Sequence, residues 1–520
     1  MNSEYDLIVI GGGPAGMAAA VQAKEDGVER VLIAERNSYL GGILPQCIHD
    51  GFGLSEFGDL MTGPEYASAW VRIVKDADVD YLTDATVTDI RRPEREGAGA
   101  SGPAETGSAG FVLKISSFSR GMEEYFCRAV ILASGCRERS RGQLRIPGSR
   151  PAGVYTAGSV QYMMNIQNYR PGTTAVILGS GDIGLIMARR MKWEGIRVRL
   201  VLGEKASGLL RNYIQCVRDW DIPIRFSSTV VKIHGRKRLT GVTVAPEKPD
   251  GTPDMSAAQY IRCDLLVIAA GLIPETELWN CLRRSEGKKG GPVAGEDGVS
   301  TQENGFFLCG NTVKQYDTVD EVSDSGRRAG RSAALWIAEK GCCGELSFSA
   351  LPHRVFSPQH VMTEADMEYL SSGTETDRSG DRTVYCICCP KGCRMTVKMP
   401  EYAGDGGGCG RTDFEVQGYG CEAGRNYAVQ EVTAPKRIVT TTVAVSGKRD
   451  ILVPVRTSEA VDKSAVERIL SVCSRLKVRL PVSAGEILKK DIGGAGSGID
   501  LICCADCVRS GSIGSGEKLS

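Results

Sequence analysis

The sequence predicts an α/β protein made of two doubly wound parallel-sheet units, the first of them split along the chain, with a small cysteine-rich α+β domain behind them. Three observations carry that prediction. A strand, glycine turn and helix pattern opens the chain at Leu7 to Gly16, the same pattern returns at Ala175 to Gly184, and beyond residue 383 the text changes to closely spaced cysteines.

Leu7 to Ile10 reads as a short buried parallel strand, and Gly11, Gly13 and Gly16 place G-x-G-x-x-G where that strand should turn into a helix. Gly11 permits the tight turn, Gly13 lets the backbone approach a pyrophosphate, and Gly16 packs helix on strand. Pro14 and Ala15 open a helix whose free N–H groups and positive dipole end face the phosphates. Glu35 follows Gly16 by 19 residues, at the end of the apolar run from Val31, where a carboxylate accepts hydrogen bonds from ribose hydroxyls, and Arg36 stands beside it.

At 520 residues the chain is too long for one core; the usual scale of about 100 to 200 residues per domain gives three or four. Lys plus Arg is 63 and Asp plus Glu is 63, so no global field favours nucleic acid or an anionic membrane. No apolar run approaches the roughly 18 residues of a membrane span, and the N-terminus lacks the regions of a signal peptide, which reads as a cytoplasmic chain without an integral membrane segment. There, 19 cysteines are thiols, metal ligands or redox centres rather than structural disulfides.

The loop LGGILPQCIHDGFGL, Leu40 to Leu54, carries Gly42, Cys47 and His49. With the two fingerprints, it resembles the two-domain flavoproteins of the pyridine-nucleotide-disulfide reductase superfamily. The resemblance implies two Rossmann-like domains, FAD in the first and NAD(P)H in the second, with this loop running toward the flavin ring. Disulfide reductases carry two neighbouring cysteines here; this loop has one, so a disulfide within it is excluded. Cys47 is then either a single thiol that forms a flavin adduct or sulfenic acid, or a half-buried loop cysteine. His49 is either a proton donor or, as the plainer reading, a structural hydrogen-bonder.

Tyr66 to Ala77 looks helical and Tyr81 to Ile90 alternates as one strand, on which the resemblance puts an adenine contact at Val87. The glycine, alanine and serine text from Pro93 to Gly110 reads as a disordered hairpin loop. Phe111 to Ile115 and Tyr125 to Ala133 read as strands; the second runs into Ser134 and Gly135, the small residues by which the superfamily leaves its flavin domain. Ala175 to Leu178 then leads into Gly179, Gly181 and Gly184, with Asp182 and Ile183 between them, and the helix ends before a strand from Arg197 to Leu202. Gly203 takes the expected acidic position and Glu204 follows it. A carboxylate there selects NAD, the favoured choice, whereas Arg199 or Lys205 could meet the extra phosphate of NADP.

From Cys263 the text is read as returning to the first domain, and NGFFLCGN brings Gly310 and Asn311 where the resemblance implies a Gly-Asp anchor for the ribityl chain. Asn keeps the hydrogen bonding and loses the charge. Val319, Val322, Gly326, Ala329, Ala333 and Ile337 share one helical face to about Lys340, and the N-terminus of that helix is expected at the flavin's pyrimidine edge.

No dimerisation domain with a catalytic histidine follows. A polar linker leads instead to YCICCPKGCRMTV, with Cys386, Cys389 and Cys393, Cys388 between them and Cys409 beyond; Cys421 comes later. This text resembles a bacterial CxxC-motif domain of unknown function, its fourth cysteine at Cys421, that occurs with flavoproteins and glycerol-3-phosphate dehydrogenase-like subunits. Four thiolates suit an iron-sulfur cluster, zinc or a thiol-disulfide relay. The tail motif ICCADC, with Cys504 and Cys507, lies outside that resemblance and reads as an incidental cysteine-rich strand.

The expected boundaries are 1–145 and 263–343 for the FAD domain, 146–262 for the NAD(P) domain, 344–382 for the linker and 383–520 for the cysteine-rich domain. The expected function is an oxidoreductase taking hydride from NAD(P)H to FAD and passing electrons on to a partner protein or acceptor, with the C-terminal cysteines as a candidate route. The alternative is a non-catalytic assembly subunit of a glycerol-3-phosphate dehydrogenase-like complex.

Overall fold

A computed structural model of the chain describes residues 4–93, 110–203, 208–295, 297–316, 318–341, 381–389, 391–398, 414–448 and 450–507. The expectations for the glycine-rich hairpin loop, for nearly all of the 344–382 linker, and for Glu204, Lys205 and Cys409 lie outside these residues.

The first sheet runs in the order Asp80–Leu82, Val31–Ala34, Glu4–Ile10, Gly121–Leu132, Phe111–Ser117, Ala85–Arg91, and Phe306–Leu308 lies parallel to the end of the long strand Gly121–Leu132. Its central strands are apolar without alternation because both faces are covered. Leu7 and Val9 pack with Met17 and Ala329 under two helices, while Ile8 and Ile10 face Phe111 and Trp279 on the other side.

The single strand expected from Tyr81 to Ile90 is two. Asp84 adopts φ +51° and breaks it, so Asp80–Leu82 extends the parallel sheet whereas Ala85–Arg91 pairs antiparallel with Phe111–Ser117. A period-two pattern survives such a break, which hides it from the sequence.

The second sheet is wholly parallel, in the order Val154–Thr156, Leu265–Ile268, Thr174–Leu178, Arg197–Leu202, Ile224–Arg225. Leu265–Ile268 sits inside it, between two partners. The expected return to the first domain at residue 263 is therefore corrected: the chain crosses back at Leu272–Pro274, which forms an antiparallel ribbon with Cys136–Glu138, the outgoing crossing.

The C-terminal part is two lobes rather than one. Arg382–Tyr385, Arg394–Lys398 and Glu415–Gln417 form a three-stranded sheet beside the helix Glu422–Thr433. A five-stranded sheet follows, in the order Lys477–Val478, Thr440–Val445, Leu452–Thr457, Leu501–Cys503, Ile487–Lys489. Both lobes share buried cores with the second unit: Leu210 and Ile214 pack with Tyr385 and Cys386, and Val443 and Val455 join the cluster of Met191 and Val217. The seam is pinned by Arg437, bonded to Asp219 at 2.6 Å and to Glu431 at 2.6 Å, with Lys463 2.9 Å from Asp219. Removing one member of such a buried set costs about 3–5 kcal/mol, because the remaining charge is left without a partner.

Candidate functional site

The first glycine turn is built by sterics. Gly11 has φ +108°, and a Cβ on it would lie 2.4 Å from the Ala133 carbonyl oxygen; a Cβ on Gly16 would lie 1.8 Å from that of Gly11. Gly13 differs: a Cβ there would meet only the Gly42 Cα, at 3.8 Å, so the surface above it is open. Gly13 starts the helix Pro14–Glu25, with Ala15 and Gly16 buried in its first turn, and no side chain caps it. An open backbone surface at an uncapped helix N-terminus fits a pyrophosphate.

Glu35 is buried. Its Oε2 accepts the Gly12 N–H at 2.7 Å and its Oε1 the Asn37 N–H at 2.8 Å. Burial pushes the carboxyl upward against those hydrogen bonds. Each oxygen keeps accepting capacity for a ribose hydroxyl. Arg36 is exposed beside it, and Val87 is buried on its strand.

Beside the same turn, Ser134 Oγ donates to the Glu275 carbonyl at 2.6 Å and the Gly135 N–H donates to Thr312 Oγ1 at 2.8 Å. Gly310 stands at φ +62° against Ala15, and Asn311 Oδ1 accepts the Tyr316 N–H at 3.2 Å. The helix Val319–Gly341 forms as expected, with Ala329, Ala333 and Ile337 buried. Its Asp320 accepts N–H groups from Gly53 at 3.2 Å and Ser55 at 2.9 Å, so it clamps the Cys47 loop. Thr312 and Asp320 escape sequence reasoning, since neither lies in a motif.

The second turn repeats the sterics. Gly179 has φ +123° and a Cβ on it would lie 2.0 Å from the Ala269 carbonyl oxygen; one on Gly184 would meet the Gly179 oxygen at 2.3 Å. Gly181 starts the helix Asp182–Trp193, again without a side-chain cap, and Ile183 is half-buried in its first turn. Asp182 turns inward: its Oδ1 accepts the Leu209 N–H at 2.6 Å and the Asn212 Nδ2–H at 2.8 Å, holding the segment that follows the strand Arg197–Leu202. A cavity of about 760 Å³ opens here, lined by Gly179, Ser180, Gly203, Arg139 and Arg145, at the carboxyl ends of the parallel strands. That is where open α/β sheets bind ligands.

Cys47 and His49 lie between the two units. The Cys47 thiol donates to the Ile43 carbonyl at 3.4 Å and to Gln161 Oε1 at 3.7 Å, and burial pushes it up to about 12. It is a thiol at neutral pH. His49 stacks on Phe52 at 4.9 Å with Nδ1 3.1 Å from the Asp50 carbonyl, and burial brings it down to about 4, with Arg189 and Arg211 adding to the shift. It is neutral.

Around the N-terminus of the helix Glu422–Thr433 the structure gathers Cys386, Cys388, Cys393 and Cys421, the last being the residue that starts the helix. Cys386 and Cys388 share a hydrogen bond that raises the first thiol and lowers the second, with Cys389 and Cys421 close to Cys388. Among the described residues no three Cys, His, Asp or Glu side chains are set to hold a metal ion, and every cysteine is a free thiol. In the tail motif, the Cys503 and Cys507 thiols are hydrogen-bonded to each other and Cys504 is buried.

A family model described as pyridine nucleotide-disulphide oxidoreductase matches residues 5–326, and one described as a protein of unknown function (DUF1667) matches residues 422–505. The second match begins just after Cys421 and includes Cys503 and Cys504, so it reaches part of the tail motif expected to lie outside it and leaves out the cysteines of 386–421. Among curated proteins, the HcnB component of the hydrogen cyanide synthase of Pseudomonas protegens is 31% identical over 52% of this chain and 57% of its own length. An opine oxidase subunit from Agrobacterium tumefaciens is 30% identical over 37% and 35%, and an alkyl hydroperoxide reductase subunit from Xanthomonas campestris pv. phaseoli is 27% identical over 63% and 56%. The chain thus spans little more than half the length of these curated relatives, or less. Since the first family model covers well over half of the chain, with both glycine turns inside it, this chain belongs to the pyridine nucleotide-disulphide oxidoreductases.

Proposed function

We propose that the protein is an FAD-dependent NAD(P)H oxidoreductase that passes electrons to a partner protein or acceptor. The observation that carries the reading is the pair of uncapped glycine-turned helix N-termini, one beside a buried ribose-reading carboxylate and one beside a cavity of about 760 Å³. Gly13, Gly42, Glu35 and Asn311 would hold FAD; Gly181 and the cavity would hold the nicotinamide nucleotide, with NAD favoured through Glu204. When bound, FAD would supply the acceptor for one hydride, an electron pair with its proton. Cys47 keeps its proton and serves as a neutral donor to Gln161 rather than as a thiolate, since burial opposes the charge.

We take the Cys386 and Cys388 pair as the electron outlet, as a disulfide that accepts two electrons and two protons to become the dithiol and is closed again by the acceptor, or with Cys389, Cys393 and Cys421 as ligands of an iron-sulfur cluster. Its support is position: Arg211, on the helix packed against Cys386, is near both thiols and reaches the loop of Cys47, 3.4 Å from where a Gly51 Cβ would stand. Zinc could not carry electrons. Because two relatives are named as components of larger enzymes, a dehydrogenase subunit is the proposed partner. No described helix is long and apolar enough to cross a membrane, and cytoplasm, where free thiols stay reduced, is the proposed compartment.

Anaerobic titration tests the reading. The purified protein should be yellow and should bleach with NADH faster than with NADPH. Cys388→Ser with Cys421→Ser should keep the bleaching and lose turnover with the true acceptor. Colourless protein that FAD cannot reconstitute would end the proposal, and stoichiometric zinc with turnover intact in the double variant would make the cysteine lobe a docking module.

A further inference from the structure

The C-terminal part reaches the first nucleotide unit at the helix Gly63–Asp76. Arg456 donates to Glu65 at 2.8 Å, both groups being largely buried, and Glu65 with Thr62 forms the capping box that starts that helix. Two further contacts come from one short loop, residues 504–506. The Cys504 thiol, 1% exposed, is hydrogen-bonded to the Thr62 side chain, and Asp506 lies 3.6 Å from Arg72. Gly63 donates its N–H to the Cys47 carbonyl at 3.0 Å, so this helix start also supports the Cys47 loop.

The 504–506 loop is bounded at both ends by cysteines, and one turn, Val482 to Glu486, holds both. The Cys503 N–H donates to the Glu486 carbonyl at 2.9 Å and its carbonyl accepts from Gly485 at 2.8 Å, while Cys507 exchanges two bonds with Val482 at 2.8 and 3.0 Å. The turn closes through the Glu486 N–H on the Ser483 carbonyl at 3.0 Å, and the two thiols it brings together are hydrogen-bonded to each other. The Cys503 thiol also donates to the Ala505 carbonyl, inside the loop, at 3.0 Å. With the Cys507 hydrogen aimed at it, the Cys503 sulfur carries charge more readily and its thiol is lowered from the ordinary value, whereas Cys507 is raised. A nucleophilic sulfur beside a proton-bearing partner suits disulfide closure.

We propose that Cys503 and Cys507 form a hydroperoxide-sensitive pair that closes to a disulfide, and that closure loosens the hold of the C-terminal part on the helix Gly63–Asp76. Size selects the oxidant. Cys503 is 0% and Cys507 5% exposed, which keeps out a bulky disulfide, whereas small, neutral hydrogen peroxide enters when the two Val482 bonds open locally. The Cys503 sulfur attacks one peroxide oxygen, the O–O bond breaks, and the departing oxygen takes the Cys503 proton and leaves as water. The Cys507 sulfur then attacks the sulfenic sulfur, the S–O bond breaks, and the leaving hydroxide takes the Cys507 proton. Two thiols thus lose two electrons and one peroxide becomes two waters. The new bond removes the hydrogen that Cys503 gives to the Ala505 carbonyl, so residues 504–506 shift, and with them the contacts to Thr62 and Arg72.

Differential alkylation of the full chain tests it. After hydrogen peroxide, free thiols are blocked under denaturing conditions, the protein is reduced, and a second, heavier label marks the cysteines that had been linked. Cys503 and Cys507 should carry the second label and Cys504 the first. Hydrogen exchange in the helix Gly63–Asp76 should be at least about threefold faster in the oxidised protein, and dithiothreitol should reverse both changes. Cys507→Ser should strand Cys503 as a sulfenic acid that dimedone traps, and Cys503→Ala with Cys507→Ala should show no rise in exchange. If these variants do not fold, the labels and the reversal on the natural chain decide. The first label on Cys503 and Cys507, a link that takes Cys504 in place of either, or a closed pair with unchanged exchange would each overturn the proposal.

Discussion

At the first glycine turn, Gly326 and Gly330 bring the helix Val319–Gly341 against the helix Pro14–Glu25 so closely that added Cβ atoms would lie 2.1 Å from the Ala15 oxygen and 2.3 Å from that of Ala19. Among the described residues no glycine-packed helix covers the second turn in this way, and it opens on the cavity of about 760 Å³. A carboxylate near each turn is also used differently. Glu35 is buried and fixed by two backbone N–H groups, whereas Asp182 uses its carboxylate to hold the segment around Leu209. One fingerprint therefore sits in two settings: the first helix is gripped along its flank by a second helix while the surface above Gly13 stays open, and the second turn faces a wide cavity.

The contrast is broken most sharply within the first turn. Gly16→Ala should cost more than about 3 kcal/mol and leave little folded protein, because its Cβ would overlap the Gly11 oxygen at 1.8 Å; an ordinary melting curve would refute the steric account. Gly13→Val, three residues earlier, should fold normally and yet lose at least about tenfold in bound flavin, since its side chain fills space meant for a phosphate. Visible absorbance per protein reads this, and undiminished colour would show that Gly13 is not under the pyrophosphate.

Acid tests the seam between the two turns. His49 is brought down to about 4 when folded, from an ordinary value near 6.5, so its contribution is present above pH 6.5 and lost as the pH falls toward 4. That amounts to about 3 kcal/mol in order of magnitude. Denaturant midpoints between pH 7 and 4 should fall accordingly, and His49→Gln should flatten the profile; parallel profiles would place the acid sensitivity elsewhere. The smallest effect is expected at Asp182→Ala, which strands the Leu209 and Asn212 donors at a cost of about 1–3 kcal/mol. It should raise the KM for NADH several-fold with flavin content unchanged, and a loss of flavin would erase the division between the turns.

Much of this was legible early because the features are local. Gly11, Gly16, Gly179 and Gly184 are required by clashes with atoms a few residues away or on the next strand, and Glu35 sits at a fixed distance along one β-α-β unit. The break at Asp84 was not legible, since alternation persists through a left-handed residue. Neither was the place of Leu265–Ile268, because an apolar strand does not state which parallel sheet it joins. Cys47 reads in its motif as either a reactive single thiol or a half-buried loop cysteine, and only the surroundings weigh between them: Gln161, more than a hundred residues away, and the burial around it hold the proton on.

The sequence by itself determined the two glycine turns, the helices they start and the place of Glu35, since the spacing of each motif lies within one β-α-β unit and Gly16 and Gly184 are required by the backbone of their own turns, although the Ala133 and Ala269 carbonyls that demand Gly11 and Gly179 come from strands far along the chain. Only the tertiary structure decided that the C-terminal lobes share cores with the second unit and that Arg437 meets Asp219. Burial and charge balance are sums over everything that surrounds a group, and no stretch of sequence carries that sum.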